Sequence, residues 1–209
     1  MLSKIPSELF DFYSNLGLRA AVYARLRWRL CPFEEIERHV PREGTIIDIG
    51  CGYGLLANLL ALRSSRRDVT GIDLSVGRIS IAQKTTDNRK KIQFKLMDAL
   101  DFELGEYSTV IMSDFLHHID CEAQKELLAR CYQELVPGGL LIIEEVDNRP
   151  LLKYWFAIMS DKILNVGERQ FFRSHREFQK LLQRIGFYVK TKKVDKDIPL
   201  SDTLFICKK

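Results

Sequence analysis

Apolar positions in the first forty residues follow a helical pattern, which predicts helix over 7–38 with breaks near Gly17 and at Pro32. Beyond Pro41 and Gly44 the pattern shortens. Thr45-Ile-Ile-Asp-Ile-Gly is a brief β-branched run ending in glycine, the signature of a strand buried on both faces. A helix follows over 54–63, then a strand over 69–73, a helix over 76–86 and a strand over 92–97. A fourth strand over 107–113 precedes a helix over 122–135. After the turn Pro137-Gly138-Gly139, a fifth strand runs over 140–146.

Strands alternating with helices imply an α/β fold, a doubly wound and mainly parallel sheet with helices on both faces. The rhythm then changes. Residues 151–164 form an apolar, aromatic helical segment, and 174–185 an amphipathic helix opened by Ser174, with Glu177 at capping-box spacing. Residues 187–194 and 203–208 predict a closing antiparallel hairpin. The organisation expected is one domain over 1–209. It comprises an N-terminal helical cap (1–40), a core (45–146), an insert after the fifth strand (148–172), and a C-terminal helix and hairpin (174–209).

Composition narrows this little. The 209 residues are 46% hydrophobic and 29% charged, an ordinary mixture for one domain. No stretch approaches the roughly 20 apolar residues of a membrane-spanning helix, and residues 1–6 do not resemble a secretory signal. The five cysteines are scattered, with no Cys-x-x-Cys pair, so no metal site is expected and a reduced, cytoplasmic setting is. A net charge of +4 is too mild to predict nucleic-acid binding. Its distribution is more telling: Arg19, Arg25, Arg27 and Arg29 share a helix with aliphatic and aromatic residues. Such a helix either caps the domain with a solvated basic face or makes peripheral contact with a membrane. Oligomeric state cannot be read.

The strongest motif is Asp48-Ile-Gly50-Cys51-Gly52-Tyr53-Gly54 between a strand and a helix, where glycines permit a tight turn and close ligand approach. A dinucleotide fingerprint begun at Gly50 would need glycine at position 55, and Leu55 stands there; no Gly-Lys-Ser/Thr follows to make a P-loop. The second strand ends Asp73-Leu74-Ser75 and the third Asp98-Ala99. An acid after the second strand can accept from both ribose hydroxyls of an adenosine, and one after the third from an adenine amino group. Each acid alone could be a turn or cap residue. Three at successive strand ends, 25 positions apart, argue for one binding site.

These segments, with the stretch from Tyr107 through Leu-His-His-Ile and Val-Pro-Gly-Gly-Leu-Leu-Ile-Ile, resemble the class I S-adenosylmethionine-dependent methyltransferases. The resemblance is to the small-molecule and lipid type that includes the ubiquinone and menaquinone methyltransferases, and it covers residues 45–146 in the family's order. It implies a Rossmann-like sheet of seven strands, the last antiparallel, and S-adenosylmethionine as cofactor. By it Asp48, Gly50, Cys51, Gly52, Tyr53 and Gly54 hold the methionine moiety. Asp73 and Leu74 take the ribose, Asp98 and Ala99 the adenine, and Ser113 lines the sulfonium side. The family often sets a basic residue upstream, near the cofactor's carboxylate; Arg27 and Arg29 are the candidates.

Methyl transfer needs a positioned acceptor, exclusion of water and sometimes a base. His117, His118 and Glu145 are the candidates at strand ends, with Glu144 and Asp147 in the same class; one of the two glutamates is expected to face the pocket. The histidine pair has a bland reading as packing. The aromatic insert reads either as ordinary core packing or as the wall for a hydrophobic small-molecule or lipid-linked acceptor, with Arg149, Arg169, Arg173 and His175 placed to meet an acidic group on it. The alternatives are a protein or RNA methyltransferase, and a non-catalytic methyltransferase-like subunit.

Overall fold

A computed structural model describes residues 4–86, 91–101, 107–146, 171–194 and 202–209. Their strands form one seven-stranded sheet. In chain order these are β1 (Gly44–Ile49), β2 (Arg67–Asp73), β3 (Ile92–Leu96), β4 (Thr109–Ser113), β5 (Leu140–Val146), β6 (Tyr188–Lys193) and β7 (Asp202–Lys208). Across the sheet they lie 3-2-1-4-5-7-6. β1 to β5 are parallel, and β7 runs antiparallel between β5 and β6. The chain therefore winds outward from β1 on one side, then returns to start β4 on the other. That reversal opens a crevice beyond the carboxyl ends of β1 and β4.

The central strands read as unbroken apolar runs because both faces are covered. On one face Ile46, Ile111, Ile142 and Leu204 pack under α1 (Ser7–Ser14), α2 (Leu18–Leu30), α3 (Phe33–His39), α4 (Leu55–Arg63) and α5 (Val76–Lys84). On the other, Ile47, Val110, Met112, Ile143 and Phe205 pack under α6 (Cys121–Glu134) and α7 (His175–Ile185). Gly17 and Pro32 break the N-terminal helices as expected. The Ser174–Glu177 capping box opens α7 with both of its bonds made.

β2 starts two residues before the predicted strand, at Arg67, whose buried guanidinium explains the extension. It meets Glu37 Oε1 at 2.8 Å and donates to the carbonyls of Val40, Pro41 and Leu60, fixing α3 against the entry to β2. The expected 151–164 segment, nearly all of the 148–172 insert, and Asp147, Arg149 and Arg169 lie outside the described residues.

Candidate active site

The crevice widens into a cavity of about 840 Å³, toward the upper end of the range for ligand sites. Of the eleven residues expected to bind a cofactor, ten line it: Asp48, Gly50, Cys51, Gly52, Tyr53, Asp73, Leu74, Asp98, Ala99 and Ser113. Gly54 sits behind the loop at the start of α4, left-handed at φ 78°.

The loop turns sharply because its glycines take positive φ; at Gly50 (φ 74°) a Cβ would also come within 2.4 Å of the Phe115 ring. Asp73 braces the turn. Its Oδ2 accepts from Gly52 N–H at 2.9 Å and its Oδ1 from Ser75 N–H at 2.8 Å. Two backbone amides thus pin the carboxylate and Arg78 lies 4.0 Å from its Oδ2, leaving acceptor capacity on a residue that lines the cavity.

Asp48 contrasts with it. Its Oδ2 is buried with no hydrogen-bond partner among the described residues. Burial, and then the nearby Asp73 carboxylate, push its carboxyl up to about 7. A buried, unsatisfied acceptor beside a cavity calls for a donor from a ligand, best a cationic one. Asp98 takes a looser position: its Oδ1 accepts from Leu100 N–H at 2.8 Å, so the turn role and the cavity-facing role coexist in one residue.

The N-terminal helices roof this end. Tyr23 stacks on Tyr53 with ring centres 3.9 Å apart. Tyr13 OH donates to Tyr53 O and accepts from Asn58 Nδ2, tying α1 to the loop. Of the two basic candidates, Arg27 lines the cavity and Arg29 is exposed to solvent. Arg27 pairs with Asp114 at 2.5 Å. Asp114 is left-handed at φ 54°, alone in this among the described non-glycine residues, a conformation more costly than the usual backbone regions. Burial would raise its carboxyl, but Arg27 and then His117 prevail and hold it at about 2.

At the tips of β4 and β5 the polar groups are turned on one another. A 3₁₀ turn, Leu116–His118, divides the two histidines. His117 is buried; its Nδ1 lies 2.8 Å from Glu145 Oε2, and Phe172 stacks on its ring. Glu145 Oε1 accepts from the N–H groups of Phe115 and Leu116. Glu144 faces the opposite side of the sheet, where Ser113 Oγ donates to it at 2.7 Å, and burial raises its carboxyl. Neither glutamate lines the cavity, contrary to the expectation that one would. Nor does His117. His118 does, together with Phe33, Phe115, Ile119 and Phe171.

Phe171 is held there by its N–H to His117 O and by Gln124 Nε2, which donates to its carbonyl. Arg173 is spent on Gln124 Oε1 and Cys121 O, and neither it nor His175 lines the cavity. Tyr23, Phe33, Arg78 and Asp114 line the site without having been singled out from sequence. Only Asp114, directly after a strand, carried a positional signal.

The residues at this cavity fit an adenosine bearing an amino acid: a braced acid for a diol, a second acid beyond it, and an orphan buried carboxylate oxygen for an ammonium group. Comparison with known proteins points the same way. The sequence profile of the methyltransferase-domain family matches residues 19–192. The ubiquinone biosynthesis O-methyltransferase of Saccharomyces cerevisiae, a mitochondrial protein, is 28% identical over 139 residues, covering 64% of this chain and 44% of that protein. Its counterpart in Acinetobacter baumannii is 29% identical over 119 residues, covering 54% and 48%. The chain thus spans about half the length of these curated relatives. Among solved structures, an O-methyltransferase family protein of Burkholderia thailandensis superposes with a TM-score of 0.74 at 19% identity, over 95% of this chain and 61% of that one. Human N-acetylserotonin methyltransferase in complex with SAM gives 0.71 at 20% identity, over 97% and 56%.

Proposed function

The chain belongs to the S-adenosylmethionine-dependent methyltransferase family, and from that premise we propose that it methylates an oxygen on a small, largely apolar acceptor. One observation carries the reading. A single cavity joins the Asp48–Asp73 end, suited to the cofactor, to an aromatic wall of Phe33, Phe115 and Phe171 that holds one histidine, His118. The names of the curated relatives support a hydroxyl as the acceptor group.

Asp73 would hold the ribose diol, Asp98 the adenine edge and Asp48 the ammonium of the methionine moiety. S-adenosylmethionine supplies a methyl group already activated on a sulfonium sulfur, so the protein's work is alignment. The aromatic wall excludes water and orients an apolar ring. His118 accepts the proton that the acceptor hydroxyl gives up as its oxygen forms the new bond to carbon; a positioned base of this kind is worth about 10²- to 10⁴-fold. His117 and Glu145 act one step back. Their mutual bond and the two amides on Glu145 hold the turn that presents His118. Asp114, fixed low by Arg27, stays ionised and serves geometry rather than proton transfer.

The test is calorimetric titration with S-adenosylmethionine and S-adenosylhomocysteine, with NAD as control, followed by a labelled-methyl screen of phenolic against amine acceptors. Micromolar cofactor binding and label on a phenolic oxygen support the proposal. Folded protein that binds neither cofactor form would overturn it; label on amines alone would overturn the oxygen assignment.

A further inference from the structure

We propose that the outer face of α2 seats this protein on an anionic phospholipid surface. The helix, Leu18–Leu30, turns Ala20, Ala21, Ala24 and Trp28 into the core. Leu18, Val22 and Leu26 project the other way at four-residue spacing and stay 78%, 52% and 41% exposed. Arg19, Arg25 and Arg29 are exposed on the same side. None of the three makes an ion pair among the described residues; Arg25 lies 4.3 Å over the Phe10 ring. No acidic residue occurs anywhere in α2. The surface so formed is one convex stripe in which aliphatic side chains and uncompensated positive charges alternate.

That combination selects its occupant. Aliphatic groups at a bilayer boundary gain from leaving water, while guanidinium groups stay at the level of the lipid phosphates. Phosphate contact with nucleic acid would leave Leu18, Val22 and Leu26 without a use. A second copy of the same stripe would set three arginines against three, a repulsive arrangement. The other side of α2 has a different task, since Tyr23 and Arg27 line the cavity. One helix therefore joins the lipid-facing surface to the wall of the site, so an apolar acceptor dissolved in the bilayer has a short path to it.

The test is co-sedimentation with phosphatidylcholine vesicles, with and without phosphatidylglycerol, across a range of salt. Binding is expected only with phosphatidylglycerol and should weaken with salt, because surface charges are screened over about 8 Å at physiological ionic strength. Each arginine is worth about fivefold on an anionic leaflet. Arg19→Gln, Arg25→Gln and Arg29→Gln together should therefore weaken partitioning about a hundredfold while the melting temperature falls by no more than about 4 °C, the loss of the Arg25 contact with Phe10. The triple lysine variant should keep most binding, since a lipid surface reads charge more than fork geometry. A second variant, Leu18→Ser with Val22→Ser and Leu26→Ser, should lose binding while keeping its charge. Absence of binding to phosphatidylglycerol vesicles, or equal binding by the glutamine variant, overturns the proposal. A lysine variant as inactive as the glutamine one overturns it in favour of an acidic protein partner. A dimer in sedimentation that the serine variant dissociates overturns it in favour of a second copy.

Discussion

The two ends of the cavity are built on opposite plans. At the glycine loop the acids keep bonding capacity: Asp73 is braced by two amides with Arg78 4.0 Å away, and Asp48 has an oxygen with no hydrogen-bond partner among the described residues. At the tips of β4 and β5 three polar pairs form, Ser113 with Glu144, His117 with Glu145, and Arg27 with Asp114, while the oxygens of the neighbouring Asp202 have no hydrogen-bond partner among the described residues. The first end is suited to a polar ligand. The second is a scaffold in which Arg27, Asp114 and Ser113 line the cavity already paired, beside an aromatic wall and His118. A reaction whose electrophile arrives ready-made needs this division, with recognition at one end and alignment at the other.

The sharpest way to break the comparison is at Asp73. If Asp73 holds the ribose as proposed, Asp73→Ala takes away two charge-assisted bonds to the diol, each worth about 1.5–3 kcal/mol, and cofactor affinity should fall at least a hundredfold by calorimetry. Affinity within tenfold of wild type would show that the receptor end is misassigned. Next is Gly50→Ala, where positive φ combines with a Cβ 2.4 Å from Phe115; about 2–5 kcal/mol of stability should be lost in urea unfolding. Gly138→Ala at the distant turn is its control. That residue has nearly the same φ (77°) but no atom within 4 Å of an added Cβ, and only about 1–2 kcal/mol should go.

Glu145→Gln probes the scaffold end. It weakens the hold on the 3₁₀ turn and should cost about 1–3 kcal/mol of stability while leaving cofactor affinity within a few-fold. Turnover should fall with the position of His118, and a changed pH profile of turnover would separate this from simple unfolding. A large loss of cofactor binding would mean that the two ends are not independent.

The smallest effect is in pH. Asp48 rises from an ordinary 3.8 to about 7 in the fold. Between those values the folded state keeps a proton that the unfolded chain has lost, so this group's contribution to stability declines as pH rises toward 7. Asp48→Asn should flatten that part of the melting-temperature profile of the ligand-free protein. A cationic ligand group beside Asp48 favours the ionised carboxylate, so cofactor binding should tighten as pH rises through the same window. Identical slopes in the two proteins would remove Asp48 from the account.

Much of this was legible before any coordinates. Buried parallel strands announce themselves as short, mostly apolar runs such as Thr45-Ile-Ile-Asp-Ile, and the acids at or near their ends, Asp48, Asp73 and Asp98, fall at the carboxyl edge where the crevice must lie. Side-chain direction was less accessible. His117 and His118 are neighbours in sequence, yet the 3₁₀ turn sends one into the core and the other to the cavity. The strand period puts Glu144 and Glu145 on opposite faces, and neither reaches the ligand space. The Arg27–Asp114 pair bridges 87 positions and depends on how α2 lies across the sheet, which no local pattern encodes.

The placement of β7 bears on how the molecule is made. Synthesis delivers β5 first and β6 next, yet among the described residues β6 pairs with β7 alone, and β7 is what covers the edge of β5. From residue 146 to residue 208, at roughly 5–20 residues per second, that edge stays open for about 3–12 seconds on the ribosome. During this interval a half-finished sheet presents β5, Leu140–Val146, apolar at all its positions but Glu144 and Glu145, to any neighbouring chain. The strand that closes the sheet is the seventh in chain order, so the hazard of misassembly persists until residues 202–208 arrive.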